Sequence, residues 1–236
     1  MEIINKYNAI IIEPRKHKAL EFVLNNVCEC LENNWNIILF HSDNNEKYVT
    51  IIVEKLNNLY DNRISLVNLH TNDYSLTEYS KLFCTKSIIY DYITSDTFLV
   101  FQTDSMIFKN NKNLITFFLN YDYVGAPWLM TNYIPTKNCD FIGNGGFSLR
   151  NKNKMLEIIE KIPWNNNYED LYFSTNYESI KVNKPDYSNA ISFCVDEVFN
   201  EHSFACHKPW SHSHYDYFKT IYPEVEILRN LQDIEN

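Results

Sequence analysis

The stretch Thr97-Phe98-Leu99-Val100-Phe101-Gln102-Thr103-Asp104-Ser105 passes abruptly from apolar to polar residues. An apolar run this short reads as a strand buried on both faces, here Thr97–Gln102. Upstream, the same signature occurs at Tyr7–Ile12, Trp35–His41 and Ile64–Leu69. Helical patterns separate these runs. His17–Glu32 places Ala19, Leu20, Phe22, Val23, Val27 and Leu31 near a 3.6-residue period. Ser42 to Asn45 is a turn and capping cluster before a helix at Glu46–Leu59, and Leu76–Tyr92 is also predicted helical. Strand and helix in alternation predict an α/β fold with a mainly parallel central sheet flanked by helices.

Downstream of residue 103 the pattern loosens. Helices are expected at Asn113–Asn120, Lys152–Lys161, Glu169–Ser174 and Asn189–Phe199, and a strand at Phe147–Arg150. Asp122 to Trp128 reads as an apolar strand or turn in which Gly125 relieves a positive φ. The tail from His202 reads as irregular, aromatic and His-rich. No repeat or low-complexity linker interrupts the 236 residues, which fit one large domain.

Composition excludes several functions. The four glycines are Gly125, Gly143, Gly145 and Gly146, so a Gly-rich phosphate loop after the first strand is impossible. A net charge of −9 disfavours nucleic acid and anionic membrane as partners. The six cysteines show no repeated spacing, and Cys28 and Cys30 point in different directions on their helix; reduced, partly buried thiols are expected. The segment Met1 to Lys6 has no signal-peptide character, and no apolar run approaches the length of a membrane span. The expectation is a soluble, cytoplasmic protein.

Several residues could carry chemistry. Asp104 lies just past an apolar strand, where open parallel sheets bind ligands; it suits a hard cation and equally a turn or helix cap. Three glycines within Gly143-Asn144-Gly145-Gly146 imply a close backbone approach, to a ligand or within a turn. Glu169 and Asp170 open a helix, a placement explained by dipole complementarity or by a general base. His207 and Lys208 begin a cluster with His212 and His214, able to offer a metal ligand and a phosphate-neutralising cation.

The order of these pieces is distinctive. Gln102 to Ser105, then Tyr121-Asp122-Tyr123-Val124-Gly125-Ala126-Pro127-Trp128, Gly143 to Arg150, Glu169-Asp170-Leu171-Tyr172-Phe173 and His207-Lys208-Pro209-Trp210 together resemble a glycosyltransferase-like family with the GT-A fold. A first strand ending in Glu13-Pro14-Arg15 and a second ending near His41-Ser42-Asp43 extend the likeness from about Asn8 to Trp210.

The resemblance implies one catalytic domain over 1–236, with a nucleotide-binding half (1–105) and an acceptor and catalytic half (106–236). It implies transfer of a sugar from a nucleoside diphosphate sugar, UDP-linked, to a glycan or other hydroxyl acceptor with inversion. A divalent cation, Mn²⁺ or Mg²⁺, would be held by Asp104 and His207 and act on the departing diphosphate. Asp104 matches the last carboxylate of an Asp-any-Asp motif whose first position here is Gln102. Lys208 would bind phosphate, with Glu13, Arg15, Asp43 and Thr103 around the nucleotide. Asp170 would be the base and Glu169 its reserve. Asn144, Gly145, Gly146, Trp128 and Trp210 would meet donor sugar and acceptor, while Asp196 falls on an acidic position without an assigned role. The competing expectation is a GT-A-fold protein that binds nucleotide or glycan without catalysis, favoured by Gln102. A nucleotidyltransferase is disfavoured by the absence of a Gly-rich, Lys-containing loop.

Overall fold

The computed structural model describes residues 6–71, 75–86, 88–130 and 137–232. Residues 1–5, and with them most of the segment read for a signal peptide, lie outside the described residues, as does Ser87. In chain order the elements are β1 (Tyr7–Ile12), α1 (Leu20–Cys30), β2 (Trp35–His41), α2 (Glu46–Leu59), β3 (Ile64–Asn68), α3 (Leu76–Cys84), β4 (Thr97–Phe101) and β5 (Ser105–Ile107). A 3-10 helix over Lys109–Phe117 leads to β6 (Tyr123–Pro127), β7 (Ile142–Asn151), α4 (Lys152–Lys161) and α5 (Glu169–Ser174). The chain continues through α6 (Tyr187–Ala190), β8 (Cys194–Val195), β9 (Ala205–His207), α7 (Tyr215–Ile221) and α8 (Glu224–Asn230).

A six-stranded sheet runs in the order β3-β2-β1-β4-β7-β6. The pairs β1–β2, β2–β3 and β1–β4 are parallel, while β4–β7 and β6–β7 are antiparallel. The sheet is therefore mixed, its parallel part built by the alternating first half. Side chains of a strand alternate between faces, and both faces are covered. Ala9, Ile11, Ile37, Leu39, Leu99 and Phe101 pack with α1 and α2 on one side. Ile10, Ile12, Ile38, Phe40, Phe98 and Val100 pack on the other with Phe83 of α3, Met155 of α4 and Phe173 of α5. Two buried faces explain why these strands read as continuous apolar runs.

Four expectations are corrected. The helix starting at Leu76 ends at Cys84, before Tyr92. The segment expected as a helix at Asn113–Asn120 is the 3-10 helix Lys109–Phe117. Within Asn189–Phe199 the chain leaves α6 after Ala190 and becomes β8, because Cys194 and Val195 pair with Ala205 and Cys206. The tail is not irregular: it forms β9, α7 and α8, whose Phe218, Val225 and Leu228 are fully buried.

Among the described residues no glycine has a positive φ. Gly125 is glycine for space: a Cβ there would strike the Asn144 backbone. All six cysteines are buried and unbridged. No helix among the described residues is long and apolar enough to cross a membrane.

Candidate functional site

In the strand order, β1 has β2 on one side and β4 on the other, so the crossovers diverge between β1 and β4. Ligands of open α/β sheets bind beyond the carboxyl ends of the strands at such a point. A cavity of about 520 Å³ opens there. Its walls include Glu13 and Arg15 after β1, Gln102 to Asp104 after β4, Asn144 to Gly146 in β7, Glu169 and Asp170 at the start of α5, and His207 and Lys208 at the end of β9. Asp43, Trp128 and Trp210 do not line it. Asp43 is exposed and bonded to Asn68 and His70; Trp128 lies against Gly143, and Trp210 packs on the core.

A second, small sheet in the order β5-β9-β8 assembles one wall. Ser105 pairs with His207, and Val195 with Cys206, so Asp104 and Asp196 flank the His207 ring. Nε2 of His207 lies 3.3 Å from Asp104 Oδ1, and Nδ1 lies 3.0 Å from Asp196 Oδ2. Burial opposes protonation of this imidazole, but the two carboxylates win and push it up to about 9. Burial would raise the Asp104 carboxyl; His207 and Lys208, the latter with Nζ at 3.1 Å, hold it well below the usual range. The ring rests on Gly146, where a Cβ would overlap it at 2.5 Å from Cε1. Lys208 adopts a left-handed backbone (φ 44°) as the chain turns out of β9.

The opposite wall carries two carboxyls with different fates. Glu169 is buried and meets the fully buried Arg150 at 2.7 Å, with a second contact at 3.1 Å from Nη2 to Oε1. The guanidinium is enclosed by the Phe83, Tyr123 and Phe173 rings, with centroids at 4.7, 5.2 and 5.9 Å. Asp170 has no such cation. It is half-buried and accepts hydrogen bonds from Leu171 N at 2.7 Å and Gly145 N at 3.4 Å. Burial, and then the charge of Glu169, push its carboxyl up to about 7. Gly145 is where α5 crowds β7: a Cβ would lie 2.9 Å from Asp170 Cβ.

At the floor, Glu13 accepts from the Arg15 backbone N at 2.9 Å and from Arg15 Nε and Nη2, both at 2.8 Å. Thr103 Oγ1 donates to the same carboxylate at 3.3 Å. Glu13 is thus occupied in aiming a half-exposed guanidinium at the cavity. Gln102 donates through Nε2 to the Tyr79 hydroxyl at 3.0 Å. Gln232, just past α8, lines the cavity and donates to the Thr103 carbonyl at 2.9 Å.

Sequence reasoning missed Tyr79, Ser80, Tyr168 and Gln232, which also line the cavity. Tyr79 and Ser80 are consecutive in α3, and Ser80 Oγ accepts from the first amide of α5 at 3.3 Å. A signal for Arg150 did exist: a lone cation closing an apolar strand demands a buried acid.

A family model described as "Protein of unknown function (DUF5672)" matches residues 63–207. This chain belongs to that family. The DUF5672 match begins next to β3 and ends at His207, so it contains Asp104, the β7 glycines, Glu169, Asp170, Asp196 and His207; Glu13 and Arg15 lie outside it. No curated protein matches the chain. Among solved structures, S. aureus TarS 1-349 in complex with UDP superposes with a TM-score of 0.51 at 10% identity, covering 98% of this chain and 67% of that one. The apo form of the glycosyltransferase GlyE from Streptococcus pneumoniae TIGR4 also gives 0.51, at 14% identity, covering 96% of this chain and 51% of that one. The DUF5672 chain thus has the GT-A-type fold and spans about half of GlyE.

Proposed function

We propose that this chain is a glycosyltransferase that moves a sugar from a nucleoside diphosphate sugar to a hydroxyl acceptor, with inversion, and that residues 1–236 act as one catalytic domain. The observation that carries the reading is Asp170, a half-buried carboxyl pushed up to about 7 in the wall of the switch-point cavity. A group poised near neutrality is suited to general-base work. Glu169 is not the base, because Arg150 occupies both of its oxygens.

In the reaction, Asp170 takes the proton of the acceptor hydroxyl as that oxygen attacks the anomeric carbon. The bond from that carbon to the diphosphate oxygen breaks, and the diphosphate leaves with the electron pair. Lys208 and the Arg15 guanidinium, aimed by Glu13, bind and orient the departing anion. Asn144 and the glycines beside it face the donor sugar. The nucleotide is a uridine diphosphate, as in the TarS complex.

The GT-A fold implies a divalent cation. Among the described residues no three His, Cys, Asp or Glu side chains converge on one point. Asp104 Oδ1 and His207 Nε2 nevertheless face each other, buried and without hydrogen bonds. One carboxylate oxygen and one imidazole nitrogen are donors that would hold Mn²⁺ or Mg²⁺. Bound there, Mn²⁺ or Mg²⁺ would act as a Lewis acid toward the departing diphosphate.

A second reading, a nucleotide-binding protein without transfer, is favoured by Gln102, whose amide serves Tyr79 instead of a cation. Hydrolysis of a panel of nucleotide sugars by wild type and Asp170→Asn separates the two. Donor turnover lost in Asp170→Asn, with unchanged UDP-induced thermal stabilisation, supports the transferase. Stabilisation by UDP with no turnover of any donor supports the binding protein.

A further inference from the structure

Asp196 is 6% exposed and stands immediately after β8, opposite His207 in the small sheet. A single oxygen of its carboxylate, Oδ2, accepts from Asn144 Nδ2 at 2.6 Å and meets His207 Nδ1 at 3.0 Å. The other oxygen meets His212 Nε2 at 3.3 Å. Asp196 is not among the residues lining the cavity, whereas Asn144 and His207 are. It therefore stands one layer behind two cavity side chains that come from different sheets.

We propose that Asp196 is a positioning residue that fixes the His207 ring and the Asn144 amide together, from one carboxylate oxygen, and so sets the wall between the diphosphate and sugar ends of the cavity.

A carboxylate only accepts, so the atoms hydrogen-bonded to it must be donors. Nδ1 of His207 then carries a proton, and Nε2 is the ring atom turned to Asp104 and the cavity. A carboxylate behind an imidazole fixes ring orientation and raises the basicity of the far nitrogen, the arrangement found behind metal-bound histidines. The same logic fixes Asn144. Its Nδ2 is committed to Asp196, so Oδ1 turns back and accepts from Gly146 N at 3.0 Å. Gly146 in turn supports the His207 ring, where a Cβ would overlap it. Asp196, Asn144, Gly146 and His207 thus close a ring of contacts in which each orients the next.

The inference rests on the transferase reading for its catalytic consequence, but its test does not. The probes are Mn²⁺ alone, followed by electron paramagnetic resonance, and the imidazole region of a metal-free ¹H–¹⁵N spectrum. In wild type His207 should give a downfield, slowly exchanging Nδ1–H resonance. That resonance should disappear in Asp196→Ala and persist, shifted upfield, in Asp196→Asn, which retains an acceptor without the charge. Mn²⁺ affinity should fall about 10–100-fold in Asp196→Ala. A resonance unchanged in Asp196→Ala, or absent from folded wild type, would overturn the proposal. So would an Asp196→Ala affinity within twofold of wild type when His207→Ala abolishes binding. Should Asp196→Ala fail to fold, Asp196→Asn decides: an unshifted resonance overturns the proposal. If wild type binds no Mn²⁺ while the resonance behaves as expected, the cation reading falls and the positioning role stands.

Discussion

Arg150 and Glu169 meet at 2.7 Å with the guanidinium fully buried, and this pair ties the last strand of the parallel-antiparallel junction to the first turn of α5. It holds the Glu169 carboxyl against the guanidinium one residue before Asp170, whose own carboxyl its charge helps to push up.

Removing one partner of such a pair leaves a buried charge without compensation, at a cost of about 3–5 kcal/mol. Glu169→Gln should therefore lower the midpoint of urea unfolding markedly, as should Arg150→Met. The double variant should be less destabilised than the two singles summed. Strict additivity in a double-mutant cycle would show that the pair is not coupled.

The Asp170 carboxyl is pushed up to about 7, so donor turnover should rise with pH through that region and level off above it. The linkage sign follows from a folded value above the unfolded one. Folding favours protonated Asp170, so stability is lost as pH rises from near 4 through 7. Asp170→Asn should raise Tm at pH 8, and the gain should vanish near pH 4. An equal gain at both values would remove the elevated carboxyl.

Gly146 makes room for the His207 ring. Gly146→Ala must displace that ring, with an overpacking cost of about 1–3 kcal/mol. Turnover should fall far more than that destabilisation explains, and Mn²⁺ binding should weaken with it. A fully active Gly146→Ala variant would mean that the ring can move without consequence.

Lys208 holds a left-handed backbone at φ 44°, a conformation costing a non-glycine residue roughly 1–2 kcal/mol. Lys208→Gly should relieve that strain and keep or raise Tm, while UDP affinity, measured by calorimetry, drops about tenfold through loss of a phosphate-facing cation. Unchanged affinity would assign the strain to the turn alone.

The sequence by itself determined the alternating strands and helices of the parallel half and the order of the motifs. The bounds of β1, β2, α2, α4 and α5 are those read from the sequence. Doubly covered strands and amphipathic helices carry their environment in their own composition. The order Gln102 to Ser105, the glycine stretch, Glu169-Asp170 and His207-Lys208 was equally legible, and with it the GT-A resemblance.

Only the tertiary structure decided what each residue touches. Glu169 and Asp170 are neighbours of the same chemistry, and their difference comes from Arg150, 19 positions away from Glu169. Asp196 reaches His207 only because β8 pairs with β9, two strands too short to show a period. α7 and α8 were invisible for a related reason: they are two turns each, and their apolar faces are defined by the core they cover. The glycines show the division most clearly. Their clustering was evident in the sequence, but backbone freedom was the wrong reason for Gly125. Close approach, of the Asn144 backbone to Gly125 and of His207 to Gly146, is a relation between elements that no local pattern records.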